Sequence, residues 1–275
     1  MKNGFKDTLR SVPYLPESVQ AVCRLFRQTP QQEYRQMYFP ETTYPDDIFV
    51  DSYPKSGNTW VRLLLTEVLV DTDGERSGWE HHRVVPDLYR NRAWADEAER
   101  PRYMKTHEAW FDRYPRCLYV VRDGRDVMVS YYHYLEDFHE EINDFSTFLR
   151  VHATWPTRWH THVKRALHAA QSRPDDFLIV RFEDLKNDDV RELRRMVDFC
   201  DIDASPDDIK RAVQACRFSA LKEKEQEHGH PDEVDEAEAF FRSGTMDQWE
   251  DVFSDEDLRW FMERSHDVME QLNYV

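Results

Sequence analysis

The apolar positions change period along the chain, and the changes fall in a repeated order. Ile48-Phe49-Val50 is an unbroken apolar run ended by Pro54, and over residues 59–70 Trp60, Leu63, Leu64 and Val68 recur at helical spacing. That is the pattern of a strand, a tight loop and a helix. It returns twice: residues 117–121 are followed by Arg122-Asp123-Gly124 and a helical stretch through Tyr134, and residues 177–180 by Glu183-Asp184-Leu185 and a helical stretch over 190–199. Between the first two units, residues 102–105 read as a short strand ending at Thr106-His107. Strands alternating with helices predict an α/β fold with a central parallel sheet flanked by helices. In such sheets ligands gather at the carboxyl ends of the strands, where the unusual residues of this chain also lie.

The flanks read differently. Pro13, Pro16, Pro30, Pro40 and Pro45 surround one amphipathic helix candidate at 18–26, which predicts a wrapping N-terminal arm over 1–45 ahead of a core over 47–275. Ser205 before Pro206 reads as an N-cap with proline at the first helical position, and Ser254 with Asp257 as a capping box ahead of Leu258, Phe261, Val268 and Leu272. Residues 223–238 are polar and acidic and contain His228-Gly229-His230-Pro231, which predicts a mobile loop or lid.

Composition narrows the choice of partners. At 275 residues, with no linker interrupting the pattern, one domain is expected. A formal charge of -17 disfavours nucleic acid and anionic membranes, so any anion site must be a local basic pocket. The four cysteines are scattered without a metal or disulfide spacing, and neither a signal-type apolar segment nor an apolar run of membrane length is present. A cytoplasmic protein with no membrane partner is the expectation. The histidines at 81–82, 160/162 and 228/230 lack the helical pair plus third ligand that a metal site requires, so no metal is expected.

Four segments carry candidate chemistry. In Tyr53-Pro54-Lys55-Ser56-Gly57-Asn58-Thr59-Trp60, a glycine, two hydroxyls, one ammonium and a helix N-terminus make a cradle for phosphate or sulfate. The lysine precedes the glycine, unlike the loop of nucleoside triphosphatases. Arg122 sits at a strand end as a forked donor for a phosphate, and Ser130 follows two helical turns later. Lys105-Thr106-His107 ends another strand, and a histidine there can take a proton at neutral pH. The fourth is Phe240-Phe241-Arg242-Ser243-Gly244 running to Trp249.

Together these segments resemble the sulfotransferase family. The first loop is similar to the family's YPKSGTTW, with Asn58 in place of threonine. The resemblance runs from about Asp47 to the C-terminus and implies a P-loop nucleotide-hydrolase-like architecture. It implies transfer of a sulfuryl group from 3′-phosphoadenosine 5′-phosphosulfate (PAPS) to a hydroxyl or amine of a small-molecule acceptor, without a metal. His107 would be the general base, Lys55 would meet the bridging oxygen and Lys105 the transferring group. Lys55, Ser56, Gly57, Asn58, Thr59 and Trp60 would hold the 5′ side, Arg122 and Ser130 the 3′-phosphate, and Phe182 and Phe218 the adenine region. Phe241, Arg242, Ser243 and Gly244 would close over the 3′-phosphate, with Ser243 replacing the family's usual lysine. Trp159-His160-Thr161-His162-Val163 resembles a structural Trp-xx-His-Val stretch of the family. Glu250, Ser254, Asp255 and Arg259 depart from the family's dimer motif, which leaves a monomer or a non-standard dimer. For the acceptor pocket, the aromatic residues of the variable stretches, Trp79, His81, Tyr89, Phe138 and Trp155, are candidates. The rival readings are a small-molecule kinase with a degenerate phosphate loop and a non-catalytic nucleotide-binding module.

Overall fold

A computed structural model describes residues 38–70, 79–90, 92–136, 142, 144–231 and 245–275. Helix candidate 18–26, Phe138, the 232–238 part of the expected loop, and Phe241, Arg242, Ser243 and Gly244, expected to close over the 3′-phosphate, lie outside the described residues.

Four strands form one parallel sheet in the order β2-β1-β3-β4: β1 (Ile48–Ser52), β2 (Tyr103–Thr106), β3 (Arg116–Val121) and β4 (Phe177–Arg181). The registers pair Val50 with Lys105 and Leu118, and Val120 with Val180. All five residues of β1 are fully buried, as expected of a parallel strand covered on both faces. Alternation divides its side chains between two cores. Ile48 and Val50 pack with Val61, Leu64 and Leu65 of α1 (Asn58–Leu69), whereas Phe49 packs with Tyr114, Tyr119, Val127 and Met128.

The helices between β1 and β3 are α1, α2 (His81–Val84) and α3 (Arg92–Glu97); α4 (Gly124–Glu136) follows β3 and α5 (Trp159–Ser172) precedes β4. Beyond β4 come α6 (Phe182–Asn187), α7 (Asp189–Phe199), α8 (Pro206–Ala215), α9 (Phe218–His228) and α10 (Asp255–Gln271). The Ser205 N-cap forms, and Asp208 completes it as a reciprocal capping box on α8; on α10 the Ser254 side chain accepts from the Asp257 N–H, but the Asp257 carboxylate takes the Ser254 hydroxyl and not its backbone N–H, so the expected box is only half formed. Another expectation fails. Residues 223–228, read as the start of a loop, are the second half of α9, because Leu221, Lys222, Glu223, Lys224, Glu225 and Gln226 are strong helix formers and the first residue able to end the helix is Gly229 at φ 78°.

The topology itself selects a site. Neighbouring strands β1 and β3 send their helices to opposite faces, α1 to one core and α4 to the other. A crevice opens at such a switch point, beyond the carboxyl ends of the two strands. Tight packing holds its walls. A Cβ on Gly124 would lie 2.7 Å from both Trp159 and Phe261, so only glycine lets the start of α4 sit this deep.

Candidate active site

The loop leaving β1 turns sharply. Lys55 has φ 66° and Gly57 φ 100°, and a Cβ on Gly57 would meet the Phe182 ring at 2.6 Å. The left-handed region and this close approach both require glycine at 57. Asn58 opens α1 and donates from Nδ2 to Val50 O at 3.1 Å and to Ser52 Oγ at 3.2 Å, tying the helix back to its strand. Ser56 Oγ is buried and has no hydrogen-bond partner among the described residues. Lys55 Nζ lies 4.2 Å from the centroid of the Tyr134 ring, and Thr59 is half-buried. The Trp60 indole donates to Cys216 O at 3.1 Å and meets Phe182 edge-on at 5.7 Å. These contacts bring Phe182 and the 216–218 turn to the loop, with Phe218 37% exposed at the start of α9.

At the end of β3, Arg122 is buried over the Phe182 ring at 4.7 Å. Its Nη2 donates to Thr245 O at 3.2 Å and reaches Asp126 at 3.4 Å, while Nε has no partner among the described residues. Ser130, half-buried, lies one turn beyond Asp126 on the same face of α4. Asp126 in turn accepts from the N–H groups of Asp247 at 3.0 Å and Trp249 at 3.2 Å, which docks residues 245–249 beside Arg122. A second set of contacts braces the same corner. Asp123 N–H donates to Glu183 Oε1 at 3.0 Å, the Tyr274 hydroxyl to Glu183 Oε2 at 2.6 Å, and Arg125 to Tyr274 O at 2.9 Å.

His107 stands just past β2, half-buried. Its Nδ1 lies 2.7 Å from Ser52 O. A carbonyl oxygen only accepts, so Nδ1 carries the proton and Nε2 the lone pair. Burial, and after it the charge of Lys105, push the His107 pKa well below the ordinary histidine value, which keeps the ring neutral at pH 7. The Lys105 ammonium makes a buried ion pair with Asp87 at 2.8 Å. Although burial opposes it, the charge of Lys105 holds the Asp87 carboxyl far below the usual carboxylate range. Around His107, the Trp155 ring meets the imidazole at 6.1 Å and 82° and Tyr89 at 5.7 Å, and Tyr89 faces the imidazole at 6.4 Å.

Of the aromatic residues expected around an acceptor, Tyr89 and Trp155 are therefore beside His107. Trp79 and His81 are not among its contacts: the Trp79 indole donates to Gly229 O at 2.9 Å, and the fully buried His81 packs against Trp79 and His82. Sequence reasoning missed Asp87, Asp126, Glu183 and Tyr274. Asp126 had a signal, four residues after Arg122; Asp87 had none, because only the fold brings it to Lys105.

A parallel α/β sheet with a glycine-turned loop at its switch point, a buried arginine just past the next strand and a neutral histidine tied to the end of β1 is the arrangement of a nucleotide-dependent group-transfer enzyme. The sulfotransferase domain family matches residues 45–273, and the chain belongs to that family. It is 25% identical over 248 residues to flavonol 3-sulfotransferase of Flaveria bidentis, covering 78% of each chain. With sulfotransferase 1A1 of Canis lupus familiaris it shares 26% over 234 residues, covering 76% of this chain and 79% of the relative. In fold it is similar to a mouse sulfotransferase crystallised with PAP, at TM-score 0.63 and 22% identity over 82% of this chain and 84% of that one. The chain has the P-loop-like sulfotransferase fold, and its reaction class is sulfuryl transfer. Among the described residues no helix is long and apolar enough to cross a membrane.

Proposed function

We propose that this chain transfers the sulfuryl group of PAPS to the hydroxyl or amine of a small-molecule acceptor, with His107 as general base. The observation that carries the reading is the Ser52 carbonyl on Nδ1 of a neutral His107, which leaves Nε2 as the basic atom at the carboxyl edge of the sheet. His107 Nε2 takes the acceptor proton as the acceptor oxygen or nitrogen bonds to sulfur. The bond from sulfur to the bridging oxygen breaks, its electron pair goes to the phosphate, and adenosine 3′,5′-bisphosphate (PAP) leaves. Lys55, at the strained turn, offsets charge on the bridging oxygen. Lys105 is held by Asp87 beside the base and offsets charge on the transferring group.

The residues present suit PAPS. Ser56 Oγ and Arg122 Nε are buried donors with no hydrogen bond among the described residues, and Trp60 and Phe182 offer ring surface next to them. Ser130 joins Arg122 at the 3′-phosphate, Gly57, Asn58 and Thr59 line the 5′ side, and Phe218 borders the adenine. Tyr89 and Trp155, set around His107, favour an acceptor with a flat apolar body. We further place the protein in the cytoplasm, where the buried thiols of Cys117 and Cys200 remain reduced. A monomer or a non-standard dimer fits Ser254, whose side chain caps α10.

The test is transfer of radiolabelled sulfate from PAPS to a broad acceptor library, alongside PAP and ATP binding. Labelled product with at least one acceptor is expected. PAP binding with no product across the library would favour a non-catalytic module, and preference for ATP over PAP would favour a kinase.

A further inference from the structure

His107 lies one residue beyond β2, where the ladder that satisfies backbone groups has ended. Its own N–H and C=O therefore need partners from side chains. The N–H donates to the Tyr89 hydroxyl at 3.2 Å, and that hydroxyl donates to Glu108 Oε1 at 3.1 Å. The carbonyl lies 2.9 Å from Nε2 of His162, which is fully buried on α5. Because the carbonyl only accepts, His162 carries its proton on Nε2, and its Nδ1 accepts from the Tyr119 hydroxyl at 2.7 Å. The His162 ring is stacked on Tyr119 and wedged edge-on between Tyr53 and Phe111, so it has little room to turn. Burial pushes its pKa down to about 3, which keeps it neutral wherever the enzyme works.

The two histidines thus hold opposite tautomers, and their difference has a use. His107 is protonated at Nδ1 by the demand of Ser52, and His162 at Nε2 by the demand of the His107 peptide. Resting on the proposed role of His107, we infer that His162 is a positioning residue for the general base: its Nε2–H fixes the His107 peptide, and so the place at which the imidazole presents its basic nitrogen. Three elements meet through this contact, since His162 comes from α5, Tyr119 from β3 and His107 from the end of β2. A reacting group misplaced by about 1 Å can cost about a hundredfold in rate.

The experiment compares wild type with His162→Leu, which fills the volume and removes the donor, and His162→Gln, which restores an N–H. For each, kcat and KM are measured with an acceptor found active, PAP affinity by calorimetry, and ring tautomers by long-range proton–nitrogen NMR. The inference expects kcat of a folded His162→Leu to fall by about ten- to a hundredfold with PAP affinity within about twofold, and His162→Gln to recover part of the loss. A folded Leu variant with unchanged kcat, or one that loses PAP affinity in step with kcat, overturns it. The wild-type spectra give a test that needs no variant: His162 must be protonated at Nε2 and His107 at Nδ1, and the reverse tautomer at either position also overturns the inference. Failure of wild type to transfer sulfate to any acceptor counts instead against the proposed function, and is distinguished by that.

Discussion

The two halves of the site are built on opposite terms. On the base side, the groups that fix His107 are already matched: Ser52 O on the ring, Tyr89 on the N–H, His162 on the carbonyl, and Asp87 on the neighbouring Lys105. On the proposed anion side, the backbone is strained at Lys55, and Ser56 Oγ and Arg122 Nε are buried donors without a hydrogen bond among the described residues. A buried donor left unmatched costs about 1–3 kcal/mol. Under the proposed function, the contrast means that folding energy preorganises His107, and that the phosphates of PAPS would match the donors of the other half.

The sharpest way to break that division is to remove the base. His107→Ala should lower kcat by about 10²–10⁴, the range for a general base, while PAP affinity measured by calorimetry stays the same. A parallel loss of PAP affinity would mean that the two halves are one. Arg122→Ala probes the other half with a smaller effect. A charge-assisted hydrogen bond contributes about 1.5–3 kcal/mol, so PAP should bind about ten- to a hundredfold more weakly. Adenosine 5′-monophosphate, which lacks the 3′-phosphate, should lose far less, and equal losses for both nucleotides would remove Arg122 from the role.

The third probe is pH. A base works in its neutral form, and burial with the nearby Lys105 charge moves protonation of His107 to lower pH. The acid limb of kcat should therefore fall below the ordinary histidine value of about 6.5. Lys105→Gln removes one depressing charge and leaves the Asp87 carboxylate, which acts in the opposite sense, so the limb should move upward. A limb that stays put would show that burial alone sets the base.

This asymmetry also explains what was legible in the sequence. The strand-loop-helix units, the caps and the residues at strand ends follow from local pattern, because period and capping chemistry act over a few residues. The loop motif was legible for the same reason: its glycine, hydroxyls and lysine are contiguous, and the fold sets them beside Phe182. Asp87 and Tyr274 act across 18 and 91 residues, on Lys105 and Glu183, and no local signal marks such partners. The contact of His162 with the His107 carbonyl was hidden for the same reason, 55 residues apart. Over residues 223–228 the charge that suggests mobility belongs to a run of strong helix formers, and propensity prevails.

Asp51 gives the smallest effect and tests whether the base side is matched throughout. It interrupts the apolar run of β1, is fully buried, and neither carboxylate oxygen makes a hydrogen bond of normal geometry among the described residues, although the Ser52 N–H and the Tyr114 hydroxyl favour its charged form against the larger effect of burial. Burial, and further on the charge of Glu108, push its pKa well above the ordinary value, so the folded protein keeps a proton that the unfolded chain releases. Where the folded state binds more protons, stability falls as pH rises, starting above the unfolded value of about 3.9. Asp51→Asn cannot ionise and escapes that loss. Its melting temperature relative to wild type should therefore be higher at pH 8 than at pH 5, whatever the substitution costs at either pH. A difference independent of pH would mean that Asp51 is charged in the fold and matched by a partner, and the base side would then have a second buried anion to balance beside Asp87.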